Sequence, residues 1–197
     1  MQSAAKRVLD DNRINATLRF IVRNRIRISQ ILVGILVLGL LFDFWSFTPV
    51  SGPLGIIAVI VIGAGVGFRS WSAGIIRKNK TLATRGPYAL TRHPLYLGSF
   101  LMATGFLVIF RDTALTLVVI TAFVVIYFPA ILREEYKMYR KFPRQWTRYI
   151  NKVAMFFPKK VTLSSLRAGW SFRQWRKNGE YRNFSTVLFS VIILCLL

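Results

Sequence analysis

Long apolar runs separated by basic segments constrain the fold of this chain more than any other feature. The runs are roughly 15–20 residues long, the length at which an apolar helix crosses a bilayer. Hydrophobic residues make up 54% of the chain, so the runs indicate membrane spans rather than a water-soluble core. The sequence therefore predicts an all-α integral membrane helical bundle of four spans, Ile28–Phe47, Leu54–Trp71, Leu95–Phe110 and Thr113–Leu132.

The segments outside this bundle are basic. Residues 1–27 mix apolar side chains with arginines, which predicts either an interfacial helix on anionic lipid or a solvated arm that fixes the topology. Residues 28–158 form the predicted membrane domain. Residues 159–197 begin with a basic segment that suits a membrane surface; its aromatic residues are Trp170, Phe172 and Trp175. The last apolar run, Phe184–Leu197, predicts a short or tilted fifth span, or a re-entrant tail.

The charge distribution predicts the orientation and the partners. The net charge is +21, and of the 28 lysines and arginines only Arg111 lies outside residues 1–27, 69–92 and 133–182. By the positive-inside rule these three segments face the cytoplasm. Because the charges lie between apolar runs, they indicate anionic lipid headgroups as partners rather than nucleic acid. The predicted location is a membrane of the bacterial inner-membrane or endoplasmic-reticulum type; the oligomeric state stays open.

Local patterns predict details of the helices. Gly63, Gly65 and Gly67 would let another helix approach the second span closely. The fourth helix should continue past the membrane to Lys141, because Pro143 ends it. A short helix over 145–149 should follow.

The stretch Arg85–Gly98, RGPYALTRHPLYLG, combines groups that suit a polar ligand at the mouth of the bundle. It contains His93, the one histidine of the chain. The dipeptides Gly86-Pro87 and His93-Pro94 exclude one continuous helix. A histidine satisfied at a helix interface is the structural alternative.

Two adjacent glutamates, Glu134 and Glu135, follow the fourth predicted span in a chain with seven acidic residues. A tight reversal at Arg111-Asp112 would make spans three and four a helical hairpin, which would bring His93 and Glu134 to the same membrane face. A carboxylate at the membrane edge is a functional candidate. The structural alternative is a salt bridge between Glu134 and a neighbouring arginine or lysine.

These two blocks resemble the signature of the isoprenylcysteine carboxyl methyltransferase family. Gly86-Pro87-Tyr88 and Arg92-His93-Pro94-Leu95-Tyr96-Leu97-Gly98 resemble its G-x-Y…R-H-P-x-Y-x-G block. The second block of the family, E-E-x6-F-G-x2-Y-x2-Y-x3-V, is similar to Glu134-Glu135 followed by Phe142, Trp146, Tyr149 and Val153. The resemblance covers roughly residues 54–158, and its superfamily includes phospholipid N-methyltransferases, thiol methyltransferases and, more remotely, sterol reductases.

The resemblance implies a membrane enzyme that uses S-adenosylmethionine. By position, the residues that it implies for binding this cofactor are Lys80, Thr81, Leu82, Ala83, Tyr88, His93, Pro94, Leu95, Tyr96 and Glu134. Carboxylate, imidazole and phenol groups suit the ammonium, hydroxyls and sulfonium of the cofactor. The catalytic residue stays unknown, with Arg92 and Glu134 as candidates. No metal is expected, since one histidine without a cysteine cluster does not suit zinc.

The chain departs from this pattern at three positions. Pro143 replaces the glycine and Trp146 replaces the first tyrosine of the second block. Ala130 stands where the carboxyl methyltransferases carry an arginine for the substrate carboxylate, which favours a different lipophilic or small acceptor. The alternatives to such an enzyme are a phospholipid N-methyltransferase, a sterol-reductase-like oxidoreductase and a non-enzymatic membrane scaffold.

Overall fold

The computed structural model describes residues 50–78, 80–156 and 163–196, and also the helical positions Phe20, Asn24, Ile28, Ile31, Gly34, Ile35 and Gly39. Within these residues every regular element is an α-helix, which confirms the predicted all-α class. The predicted interfacial segment 1–27 and the predicted first span Ile28–Phe47 lie almost entirely outside the described residues.

The helices of the continuous described ranges are numbered in chain order. They are α1 (Pro53–Ile75), α2 (Pro87–Leu90), α3 (Pro94–Phe110), α4 (Thr113–Lys141), α5 (Pro143–Lys152), α6 (Leu163–Leu166), α7 (Phe172–Lys177) and α8 (Glu180–Leu196). Proline occupies the first helical position of α1, α2, α3 and α5. This position needs no backbone N–H donor, so proline starts a helix there without cost.

The chain forms two compact units. The first, here called the His93 unit, consists of Phe47–Arg111 and Phe142–Leu197 and contains α1–α3 and α5–α8. The second, here called the Glu134 unit, consists of Met1–Ser46 and Asp112–Lys141 and contains α4. Each unit is described by itself below.

Two of the described helices, α1 and α4, are long and apolar enough to cross a membrane, and α3 is a shorter apolar helix. The four-span bundle is therefore supported at two of its positions. α4 extends to Lys141, as predicted. The helix predicted over 145–149 is longer and runs from Pro143 to Lys152, because proline at the first helical position starts a helix as well as ending the one before. α8 begins at Glu180, one turn before the predicted start at Phe184. The prediction missed this first turn because it is polar and carries no apolar signal.

Arg111 and Asp112 connect α3 to α4 along the chain, and each has a distinct local role. Arg111 ends α3 in the left-handed conformation (φ 48°), and its N–H donates to the Leu107 carbonyl. Asp112 caps α4, since its side-chain Oδ1 accepts from the Leu115 N–H at 2.6 Å. Caps of this kind satisfy donors that have no partner within the helix. The helical hairpin itself stays a prediction.

α1 and α3 pack closely through small residues within the His93 unit. A Cβ atom on Gly65 would lie 2.7 Å from the Gly98 carbonyl oxygen, and one on Gly105 would lie 2.7 Å from the Ala58 carbonyl oxygen. Small residues permit this approach because nothing projects between the backbones. Within the described residues Gly63 and Gly67 make no such contact, since a Cβ on either would meet nothing within 4 Å. Residues two positions apart point about 200° apart around a helix.

Candidate functional site

The signature stretch folds as a short helix, an extended link and the start of a long helix. Gly86 precedes α2 with φ 65° and ψ −135°, a conformation that glycine adopts readily. Its N–H donates to the Ser165 carbonyl at 2.9 Å. The link from Thr91 to His93 separates α2 from Pro94, so the two proline dipeptides interrupt the helix as predicted.

The Thr91 side chain connects this link to the segment that follows α5. This side chain is fully buried, and its hydroxyl donates to the Met155 carbonyl at 2.5 Å. The same oxygen accepts from the His93 N–H at 3.3 Å. The neighbouring Arg92 N–H donates to the Ala154 carbonyl at 2.9 Å. The chain after α5 therefore holds the residues on both sides of Arg92.

His93 lies in a cluster of aromatic rings. Its side chain is buried, and its ring centroid lies 5.8 Å from that of Tyr96 and 6.2 Å from that of Phe156. The His93 carbonyl accepts from the N–H groups of Tyr96 and Leu97, which form the first turn of α3. The imidazole is thus held at the start of α3, between an aromatic ring from its own helix and one from the segment after α5.

The aromatic positions of the second block support the first block. Tyr149 on α5 donates its hydroxyl to the backbone carbonyl of Tyr88 at 2.7 Å, and both side chains are buried. The Trp146 ring lies 5.6 Å from the Tyr149 ring, and Trp146 is also buried. Tryptophan at the family's tyrosine position thus serves as a buried packing residue.

The other predicted cofactor residues divide by position. Lys80, Thr81, Leu82 and Ala83 lie in the irregular connection between α1 and α2, where the first two are exposed and the last two half-buried. Pro94 is buried at the start of α3. Arg92 and Leu95 are half-buried. All of these residues belong to the His93 unit.

Glu134 and Ala130 belong to the other unit. Both lie on α4, where Glu134 is half-buried and Ala130 is fully buried. Glu135 is half-buried, whereas Arg133 is exposed. The predicted pairing of His93 with Glu134 joins two separately described units and stays a prediction.

Sequence reasoning missed a buried polar network next to this site. Arg69, counted from sequence among the basic residues 69–92 on the cytoplasmic side, lies on α1, and its Nε donates to the Glu180 carboxylate at 2.7 Å. Its Nη1 donates to the Leu95 carbonyl at 3.2 Å and to the Ser99 hydroxyl at 2.5 Å. Asn183 donates to the same Glu180 oxygen at 3.2 Å.

This network connects three helices, and one of its residues could have been recognised from the sequence. Arg69 contributes from α1, Leu95 and Ser99 from α3, and Glu180 from α8. The Leu95 carbonyl lies in the turn directly after His93, so the hydrogen bonds of this network hold the first turn of α3 in place. Sequence reasoning could have found Glu180 as a lone carboxylate at the start of an apolar run. Thr91 gave no comparable signal, because a lone threonine has many structural roles.

The side chains of this stretch have the chemistry to attract a cationic or aromatic ligand without covalent bonding. His93, Tyr88 and Tyr96 are buried side chains with directional donors or acceptors. Ring faces attract a cation within about 6 Å of the centroid. This chemistry suits the sulfonium and adenine of S-adenosylmethionine. The roles of the individual residues remain predictions.

Comparisons with known proteins identify a family whose profile covers most of this site. The sequence profile of the phospholipid methyltransferase family matches residues 52–145, which include the signature stretch and Glu134. The chain is 33% identical over 144 residues to the cobalt-zinc-cadmium resistance protein CzcN of Cupriavidus metallidurans, a match that covers 71% of this chain and 66% of that protein. No solved structure matches the chain at a comparable level.

A second relative gives the same result. The chain is 30% identical over 145 residues to the nickel-cobalt-cadmium resistance protein NccN of Alcaligenes xylosoxydans xylosoxydans, with 71% of this chain and 67% of that protein covered. The match spans about two thirds of the length of both relatives.

Proposed function

The chain belongs to the phospholipid methyltransferase family, in the same superfamily as the isoprenylcysteine carboxyl methyltransferases, and on this premise we propose that it is a membrane enzyme that transfers a methyl group from S-adenosylmethionine. The observation that carries the proposal is the buried His93 in its aromatic cluster with Tyr96 and Phe156, since His93 and Tyr96 lie inside the region matched by the family profile. The acceptor is a lipophilic or small molecule that reaches the site from the bilayer.

The residues of the site would bind and orient, and they would not form a bond to the substrate. When bound, S-adenosylmethionine supplies a methyl group activated by its sulfonium sulfur. Tyr88, His93 and Tyr96 would offer ring faces and hydrogen-bonding groups to it. The remaining contacts would come from Lys80, Thr81, Leu82, Ala83, Pro94 and Leu95. The Glu134 carboxylate suits its ammonium group or its ribose hydroxyls. Holding two reactants in contact in a dry cleft supplies much of the acceleration of such a transfer.

Ala130 points to the class of acceptor. A free carboxylate in a membrane-edge cleft needs a cation, and arginine suits it best. Residue 130 lies one turn before Glu134, so an acceptor carboxylate would lack an arginine at this position and face another carboxylate. Like charges at short range repel, more strongly at low dielectric. We therefore propose an acceptor that is neutral or cationic at the reacting atom: an amine, a thiol or a lipid headgroup.

The acceptor is tested with the wild-type protein and methyl-labelled S-adenosylmethionine. A farnesylated cysteine analogue should accept little label, whereas a total lipid extract or a small amine or thiol should accept more. Robust labelling of the farnesylated cysteine carboxylate would mean that another cation, such as Arg92, binds it. Ala130→Arg is a poor complement, because Ala130 is fully buried and an arginine there has no room in the packed helix.

The cofactor is tested by calorimetric titration of the detergent-purified protein. S-adenosylmethionine should bind, and nicotinamide cofactors should neither bind nor compete with it. Competition by a nicotinamide cofactor would favour the sterol-reductase-like alternative. Absence of binding by both cofactors would favour the scaffold alternative.

The orientation is tested by labelling cysteines in a Cys195-free background. Ser51 and Thr84 lie beyond opposite ends of α1, and both are exposed. A cysteine at Ser51 should react with an impermeant reagent from outside the cell, and a cysteine at Thr84 only from the cytoplasm. Labelling of the Thr84 cysteine from outside would reverse the proposed orientation of the site.

The relatives' names favour a second role, in tolerance of transition metals. We propose that methyl transfer by this chain underlies such a role, so both depend on the same site. Cells that lack the protein should regain growth on cobalt, zinc or cadmium salts with the wild type but not with Glu134→Gln. Equal rescue by both proteins would separate metal tolerance from methyl transfer.

A further inference from the structure

A platform of aromatic and basic side chains lies at the C-terminal end of α1, apart from the site described above. Backbone carbonyls at this end accept hydrogen bonds from segment 170–178; they belong to Ser70, Ala73, Gly74 and Ile76. The donors are the Trp170 indole, the Ser171 N–H and the Asn178 side-chain amide, at 2.7–3.1 Å. The last carbonyls of a helix have no partner within it, so α7 is attached where α1 ends.

The exposed side of this platform carries rings and cations together. Phe172 is 61% exposed and Trp170 is 48% exposed. The Phe172 ring stacks on the Trp175 ring with centroids 5.4 Å apart. The same segment carries four exposed cations, namely Arg167, Arg173, Arg176 and Lys177. A surface with this composition offers apolar contact and positive charge to the same partner.

The nearest carboxylate does not neutralise this surface. No acidic residue occurs in the sequence between Glu135 and Glu180. Glu180 is itself buried, and its Oε1 accepts from the Arg69 guanidinium at 2.7 Å. The charge of Glu180 is therefore balanced by Arg69 rather than by the cations of α7.

We propose that the surface formed by Trp170, Phe172, Arg173, Arg176 and Lys177, here called the α7 surface, binds the anionic headgroups of bilayer phospholipids. α1 is long and apolar enough to cross a membrane, so the end that carries the α7 surface lies at headgroup depth. Aromatic rings accumulate at this depth. Each lysine or arginine near an anionic leaflet gains attraction that extends about a Debye length.

The helix that follows supports a bilayer as the partner rather than a soluble macromolecule. α8 begins three residues after α7 and exposes Phe184, Leu188, Phe189 and Ile192. Apolar side chains therefore continue directly from the α7 surface along α8. A bilayer offers headgroups to the cations and hydrocarbon to these side chains at once.

The test uses the full-length protein in micelles of a neutral detergent. Short-chain phosphatidylglycerol is titrated into the wild type and into the triple variant Arg173→Ala/Arg176→Ala/Lys177→Ala, and binding is measured by calorimetry. The variant should lose about fivefold in affinity for each cation removed, in line with the usual gain per basic residue at an anionic membrane. Binding of short-chain phosphatidylcholine should be weak and unchanged.

A matched control removes the same charge elsewhere. Arg140, Arg144 and Arg148 are exposed on α4 and α5, and their triple alanine variant should keep the phosphatidylglycerol affinity. An equal loss in both triple variants would mean nonspecific charge attraction and would overturn the proposal. Full competition by inorganic phosphate would also overturn it, because it would indicate a free-anion site only.

Gly74→Ala tests the aromatic part of the surface without changing any charge. A Cβ on Gly74 would collide with the Trp170 indole, so the variant should displace Trp170. Its phosphatidylglycerol affinity should fall while helix content by circular dichroism stays unchanged. An unchanged affinity, with Trp170 displaced according to its fluorescence, would remove the aromatic contribution and contradict the proposed surface.

Discussion

Glu180 begins α8 in the His93 unit, and Glu134 lies about two turns before the end of α4 in the Glu134 unit. These two carboxylates differ in burial. The Glu180 side chain is 5% exposed and is held by Arg69 and Asn183. Glu134 is half-buried. A buried carboxylate loses its hydration and must recover that loss from partners. A half-buried one keeps part of its hydration and can exchange water for a ligand.

The difference leads us to expect a structural role for Glu180 and, under the proposed function, a ligand-binding role for Glu134. Glu180 and Arg69 satisfy each other and connect α1, α3 and α8, so their expected role is to hold the His93 unit together. Glu134 is the carboxylate that the proposed function assigns to the cofactor. The comparison predicts that variants of the first pair change stability, whereas a variant of Glu134 changes ligand affinity.

The largest effect is expected from breaking the Arg69–Glu180 pair. Arg69→Met should destabilise the protein by about 3–5 kcal/mol, since it leaves the buried Glu180 carboxylate without its partner. Glu180→Leu should cost less, since the Arg69 side chain is 17% exposed. The double variant should recover much of this loss, because two apolar side chains of similar length need no partner. Denaturant unfolding of the detergent-solubilised protein measures the stability of the two single variants and of the double variant. Additive losses in the double variant would show that the two side chains act independently.

A smaller effect, on binding only, is expected at Glu134. Glu134→Gln keeps the size and removes the charge, so it should weaken binding of S-adenosylmethionine by about 1.5–3 kcal/mol, the usual contribution of a hydrogen bond to a charged group. Glu135→Gln is the matched control and should weaken binding less. Calorimetric titration measures the affinities, and denaturant unfolding should show little change. Equal affinity of wild type and Glu134→Gln would remove this residue from the cofactor site.

The third effect separates the helix contact from the ion pair within the His93 unit. Gly65→Ala places a Cβ 2.7 Å from the backbone oxygen of Gly98. The backbone there cannot rotate away, so α1 and α3 must move apart, at a cost of about 1–3 kcal/mol. Gly63→Ala and Gly67→Ala meet open space and should stabilise the helix by up to about 1 kcal/mol. The free energy of unfolding should therefore fall for Gly65→Ala and rise for Gly63→Ala and Gly67→Ala. A change of the same sign in all three variants would contradict the observed packing.

The sequence predicted the helices better than it predicted their partners. Apolar periodicity and proline positions located α1, α3, α4 and α5, because these signals are local. The partner of Arg69 lies 111 positions away in the chain, and no local pattern encodes such a distance. Among the three glycines Gly63, Gly65 and Gly67, Gly65 alone contacts another helix within the described residues. Which glycine does so depends on where the neighbouring helix lies.

The candidate site shows the same limit. The motif placed Tyr88, His93 and Tyr96 in one stretch, and the structure brings the rings of His93 and Tyr96 together with Phe156. Phe156 and Thr91 had no individual signal, since an aromatic residue and a threonine are common in any helical protein. Their roles depend on how the segment after α5 folds back on the link between α2 and α3.

The smallest effect is expected at Thr91, an uncharged buried group that sharpens the comparison of the two carboxylates. Thr91→Val keeps the shape and removes the hydroxyl, which leaves the Met155 carbonyl and the His93 N–H without this partner. One such loss costs about 1 kcal/mol of stability. Thr91→Ser keeps the hydroxyl and is the control. If Thr91 also orients His93, Thr91→Val should weaken binding of S-adenosylmethionine by a few-fold, and Thr91→Ser should restore it. A loss of stability with unchanged affinity would place Thr91 with Glu180, among the groups that hold the fold. Unchanged stability with weaker binding would place it with Glu134 instead.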